Sequence, residues 1–69
     1  MSARRITVGL IPKSDLALNK LVELTGLNIS DVVNRALQMY SFVEEETAIG
    51  VQFCTFDPDT RELERVKFL

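Results

Sequence analysis

Residues 5–10, Arg-Ile-Thr-Val-Gly-Leu, carry a strand pattern with no strand beside it in the sequence to pair with. Ile6, Val8 and Leu10 fall on one face, and Arg5, Thr7 and Gly9 on the other. This is the period-two signature of a strand with one buried side. Pro12 lacks a backbone N–H and ends the run. A lone strand leaves a row of N–H and C=O groups that need partners, and the sequence that follows is helical. The economical partner is the same strand of a second copy, paired antiparallel about a twofold axis. Ile6, Val8 and Leu10 of both copies would then close over a core of helices. Arg5, Thr7 and Gly9 of both copies would project outward as a two-stranded ribbon.

The size of the chain points the same way. At 69 residues it is one small domain at most. A domain this small buries only about 60% of its unfolded surface. Disulfides, a metal or a partner subunit usually supply the rest. Cys54 is the only cysteine and there is no histidine. No internal disulfide can form, and no thiolate or imidazole metal cluster is expected. No cofactor is expected either. Self-association is the remaining route, and a 46% hydrophobic content is ample for a core shared between copies.

Two helices are predicted after the strand. Ser14 is a fitting N-cap and Asp15 suits the positive end of the helix dipole. Leu18, Leu21, Val22 and Thr25 recur at three and four residues and share a face, with Leu16 joining at the start and Leu24 off the stripe. Gly26 is a natural stop. Asn28 restarts the pattern as an N-cap, and Asp31 three residues on resembles a capping box with a shorter acid. Val32, Val33, Ala36, Leu37 and Tyr40 form the apolar face of a helix expected to reach about Glu44. Glu44, Glu45 and Glu46 oppose the dipole at a helix end, so fraying is expected there.

Beyond Gly50 the pattern changes. The runs VQFCTF and RELERVKF flank DPDT, and Asp-Pro-Asp is turn chemistry. A β-hairpin over roughly residues 51–68 is expected, with Val51, Phe53, Val66 and Phe68 covering the helices or pairing with another chain and Cys54 a small buried hydrophobe. An exposed strand there also invites strand addition by another protein. The domain organisation read from the sequence is thus a strand and two helices over residues 4–46 and a hairpin extension over 50–69.

Charge divides along the same line. Residues 1–35 hold five basic and three acidic side chains, a net +2, and residues 36–69 hold three basic and seven acidic, a net −4. A polyanion would therefore meet the amino-terminal half. An overall charge of −2 argues against strong non-specific nucleic-acid binding. An enzyme is not expected: Cys54 has no histidine to serve as its base, and no glycine-rich phosphate loop is present. The opening MSARRITV has no long apolar run, so no secretion signal is expected. No stretch approaches the ~20 apolar residues of a membrane span. A cytoplasmic location is the expectation, in keeping with a single cysteine.

The stretch RRITVGLIPKSDLALNKLVELTGLNISDVVNRALQMY resembles the ribbon-helix-helix family of bacterial, phage and plasmid DNA-binding proteins, the Arc/MetJ type. The similarity lies in the RITVGL strand, in a proline just before the first helix, and in LNKLVELTGLNISDVVNRAL. That last stretch is similar to the family's Leu-x-x-Leu, Thr-Gly-Leu-Ser and Ser-Glu-Val-Ile-x-Arg-Ala-Leu. The resemblance covers about residues 4–42 and leaves the hairpin outside. It implies an α+β fold, an intertwined ribbon-helix-helix homodimer with an added carboxyl-terminal hairpin. It also implies a function: sequence-specific binding of double-stranded DNA, most simply as a transcriptional repressor. A plasmid or phage partition centromere-binding protein, or an antitoxin, would share the same ribbon.

The family's mechanism maps onto residues of this chain. A paired ribbon fits the major groove, where each base pair shows its own donor and acceptor pattern. The base-contacting positions become Arg5, Thr7 and Gly9. An arginine can fork onto guanine O6 and N7, and a threonine offers a hydroxyl and a methyl. Gly9 departs from the family, which usually has a polar or basic side chain there. The family also holds a phosphate at the start of the second helix, which here places Asn28, Ile29 and Ser30 beside the DNA backbone. Ile29 is a second departure. Arg4 and Lys13 would add phosphate contacts. With so few basic residues one dimer would bind weakly, and several dimers on repeated sites would restore affinity. A reading of another class is a dimeric interaction module that keeps the fold and has lost DNA binding, which Gly9, Ile29 and the acidic balance favour.

Overall fold

A computed structural model describes residues 3–66 of the chain, an α+β protein of two helices and one two-stranded antiparallel hairpin. The element order is α1 (Pro12–Thr25), α2 (Ile29–Ala48), β1 (Cys54–Asp57) and β2 (Glu62–Arg65). The chain divides into two units with the division after Asn34, inside α2.

In the first unit, residues 3–11 run without secondary structure and all are exposed. Ile11 closes this segment in an extended conformation, φ −68° and ψ 157°, and Pro12 opens α1. The helix therefore starts earlier than Ser14, the N-cap expected from the sequence. Proline at the first helical position already has the helical φ and gives up an N–H that would have no partner there. The Ile11 carbonyl accepts the N–H groups of Ser14 at 2.9 Å and Asp15 at 3.0 Å, so no side-chain cap is used.

Gly26 ends α1 as expected. It lies in the left-handed region at φ 69°, and its N–H donates to the Val22 carbonyl at 2.9 Å, satisfying one of the orphan carbonyls of the last turn. Thr25 assists: its hydroxyl donates to the Leu21 carbonyl at 2.6 Å and accepts the Leu27 N–H at 3.2 Å. The chain then turns to Asn28, whose Oδ1 accepts the Asp31 N–H at 2.8 Å while its carbonyl accepts that of Val32 at 3.0 Å. This is the N-cap the sequence called for. Val32 is buried, Leu18, Val22 and Leu27 are half-buried, and Leu24 lies off the stripe and is exposed.

In the second unit, α2 passes through Glu44, Glu45 and Glu46 to Ala48 instead of ending near Glu44. Glutamate is a good helix former, and the dipole penalty is confined to the last turn. What stops the helix is Gly50 at φ 92°. The Val51 N–H donates to the Glu46 carbonyl at 3.0 Å and the Gly50 N–H to that of Thr47 at 3.0 Å, the paired bonds of a Schellman end.

The hairpin follows, shorter than the expected 51–68. Its pairs are Cys54 with Arg65, Thr55 with Glu64, Phe56 with Leu63 and Asp57 with Glu62. One further bond, from the Val66 N–H to the Phe53 carbonyl at 2.8 Å, extends the ladder. Asp57 organises the turn: its Oδ1 accepts the Asp59 N–H at 2.9 Å and its carbonyl accepts that of Arg61 at 2.6 Å. Arg61 takes the left-handed conformation, φ 62°, which the tight return requires.

Side chains alternate across this ladder. Phe53 shares a side with Thr55, Asp57, Glu62, Glu64 and Val66. Its ring meets that of Phe42 edge-on at 5.9 Å and 79°, a favoured aromatic geometry. Phe53 and Val66 are half-buried, which agrees with their expected role. Val51 stays exposed, and Phe68 lies outside the described residues. Cys54 corrects the sequence reading: it is exposed, because its parity puts it on the opposite side from Phe53, with Phe56, Leu63 and Arg65. Tyr40, expected on the apolar face of the second helix, is also largely exposed in the single chain, as is Phe42, and among the described residues only Val32 and Val43 are buried hydrophobics.

Candidate nucleic-acid interface

The residues singled out from the sequence fall on two elements of the first unit. Arg4, Arg5, Thr7 and Gly9 lie in the segment before α1, where the strand expected over residues 5–10 does not form within the protomer, and all four are exposed. Their alternating neighbours are also bare: Ile6 is 58% exposed, Val8 66% and Leu10 49%. Both faces of the segment are thus open in one protomer. Lys13, the second residue of α1, is exposed too.

Asn28, Ile29 and Ser30 come together at the start of α2. The Asn28 cap engages the N–H groups of Asp31 and Val32. The N–H groups of Ile29 and Ser30 open the first turn, where no intrahelical acceptor exists. Backbone N–H groups at the positive end of a helix dipole suit an anion. Asp31, in the same turn, competes for that field. The Ser30 carbonyl accepts the Asn34 side-chain amide at 2.7 Å, so Ser30 is held by its backbone and its hydroxyl stays on the exposed surface. The Ile29 side chain is exposed and apolar; it offers contact area and no hydrogen bond.

The second unit has a different surface. One side of the hairpin groups Asp57, Glu62 and Glu64 beside Thr55, and an open groove of about 410 Å³ there is lined by Thr55, Phe56, Asp57, Pro58, Glu62 and Glu64. Carboxylates in this density repel phosphate. The other side shows Phe56, 59% exposed, directly across from Leu63, 70% exposed. The sequence reading named other hairpin residues and passed over this pair. Finding it requires the register across the turn, in which Asp57 pairs with Glu62, and the sequence leaves that register open. On α2, hydrogen bonding to Glu44 one turn on, and then the charge of that carboxylate, raise the Tyr40 phenol above its ordinary value. No group of three or more histidine, cysteine or acidic side chains is placed to hold a metal among the described residues. No helix there is long and apolar enough to cross a membrane.

The arrangement offers hydrogen-bond donors and positive charge on the exposed segment before α1, N–H groups at a helix start, and an acidic hairpin. No family model, curated protein or solved structure matches the chain.

Proposed function

We propose that this chain is a homodimeric, sequence-specific binder of double-stranded DNA, acting as a transcriptional repressor. One observation carries the reading. Residues 3–11 are exposed and belong to no helix or ladder among the described residues, while Ile6, Val8 and Leu10 alternate in sequence with Arg5, Thr7 and Gly9. An unpaired strand with an apolar face is matched by a second copy, which gives the backbone groups of its inner edge partners and covers the apolar face. The opposite face then presents Arg5 and Thr7 of both strands on a ribbon of a width the major groove admits. The starts of the two α2 helices supply phosphate contacts through Ile29 and Ser30 N–H, with Arg4 and Lys13 adding charge.

The closing experiment is selection of bound fragments from genomic DNA at moderate salt, followed by titration of the selected site with Arg5→Ala and Thr7→Ala. Loss of a forked arginine contact costs about 1–3 kcal/mol, so Arg5→Ala should weaken binding at least several-fold and relax preference at one base. Equal binding by both variants refutes the ribbon mechanism. A partition or antitoxin role uses the same ribbon and would be told apart by the genes beside it. The acidic hairpin and the apolar Ile29 favour a second reading, a dimeric interaction module without DNA binding. Retention of no fragment at any salt supports that module, and a steep salt dependence of retention speaks against it.

A further inference from the structure

Nothing among the described residues of its own chain explains why residue 9 is glycine. Gly9 is not among the positive-φ residues, so its backbone conformation is open to any amino acid. A Cβ built there meets nothing within 4 Å, so no neighbour in the protomer needs the space. Glycine inside a strand weakens it, through backbone entropy and a missing side chain. A close approach by another molecule is the physical reason that remains.

The chain also indicates which molecule. The Ile11 carbonyl is engaged by Ser14 and Asp15 at the start of α1, and Pro12 has no N–H. The segment free to form a ladder with a second copy therefore ends at Leu10. Thr7 is the middle of the outward set Arg5, Thr7 and Gly9, and an axis there keeps outward residues opposite outward residues. A twofold axis at Thr7 sets Thr7 opposite itself, Ile6 opposite Val8, and Arg5 opposite Gly9 of the second copy. Directly opposed Cβ positions in an antiparallel pair are about 4.5–5.5 Å apart, well within the reach of an arginine stem, which packs along whatever surface lies beneath it.

We propose that Gly9 is the seat over which the Arg5 side chain of a second copy crosses the ribbon, and that the pair sets the direction in which the guanidinium leaves the outer face. The inference rests on the ribbon pairing proposed above and adds to it a register and a role for the one outward position without a side chain. An arginine held this way loses less rotamer freedom when it meets a base edge. Any side chain at position 9 lifts the stem and redirects the fork. Gly9 thereby governs sequence preference without touching a base.

The test is a double-mutant cycle on the full chain, read as the dissociation constant of the dimer from urea unfolding at several protein concentrations. With Arg5 present, Gly9→Val should weaken the dimer roughly three- to tenfold. In an Arg5→Ala chain the same change should leave it unaltered or tighten it, because valine suits a strand once the crossing side chain is gone. Gly9→Ala should show the same sign difference, smaller. The register is read separately in a Cys54→Ser chain: Thr7→Cys should oxidise to a covalent dimer, since directly opposed Cα atoms lie within disulfide range. An equal effect of Gly9→Val in both backgrounds, or a failure of Thr7→Cys to cross-link, overturns the Gly9 seat while leaving the ribbon standing. An unfolding midpoint independent of concentration overturns the ribbon itself.

Discussion

Truncating Val8 tests the pairing most directly. Val8 lies at the middle of the apolar face of residues 6–10 and keeps 66% of its surface exposed in the single chain. Burying a methylene is worth about 0.8 kcal/mol, and Val8→Ala removes the equivalent of two, or about 1.6 kcal/mol on full burial. Some two-thirds of that, roughly 1 kcal/mol per copy, is gained only when a second chain covers the residue. A twofold dimer contains the residue twice, so the loss is about 2 kcal/mol, near a thirty-fold rise in the dissociation constant. Sedimentation equilibrium over a range of concentrations measures it, and circular dichroism checks that the helices persist. Thr7→Ala, one residue away on the other face, is the control and should change the constant by no more than a few-fold. A Thr7→Ala dimer weaker than the Val8→Ala dimer, or two unchanged constants, refutes the face assignment and with it the ribbon.

Three further outcomes are expected from local chemistry. Asn28→Ala removes the acceptor of the Asp31 N–H and should destabilise by about 1 kcal/mol in thermal unfolding, whereas Asn28→Ser, which keeps a capping oxygen, should retain most of the stability. Gly26→Ala forces a side chain into φ 69° at a cost of roughly 1–2 kcal/mol, and Gly26→Asn should cost visibly less in the same assay. The Tyr40 phenol should ionise above its ordinary value in an ultraviolet titration, and Glu44→Gln should bring it down, because hydrogen bonding to Glu44 and then its charge raise it. With a pKa raised in the folded state, the interaction is complete at neutral pH and is lost only as pH rises through that elevated value.

The helix ends show what could be read in advance. Asn28 and Gly26 act within four residues of themselves, through one side-chain oxygen and one left-handed backbone, so their roles were legible. Gly50 has the same chemistry, yet the three glutamates before it drew the expected helix end back to Glu44; the weak dipole term was given more weight than the capping glycine. Ser14 lost to Pro12 for a similar reason, because a preset φ at the first helical position outweighs a polar cap two residues later. At the candidate interface, Arg4, Arg5, Thr7, Gly9, Lys13, Ile29 and Ser30 are exposed, as are most residues of the single chain, so exposure by itself assigns them no role. The Phe56–Leu63 pair was not legible, because it depends on a register set across the turn.

By itself the sequence determined the parts whose causes are local: an alternating segment ahead of Pro12, two capped helices, and a turn at Asp57-Pro58-Asp59. Hydrogen bonds and backbone angles a few residues apart encode these, and no distant contact is needed. Only the tertiary structure decided that the Phe53 ring meets Phe42 edge-on and that Cys54 faces outward beside Phe56. Those outcomes depend on which residues meet across a ladder or between a hairpin and a helix, and a one-residue change of register would send each side chain to the other face.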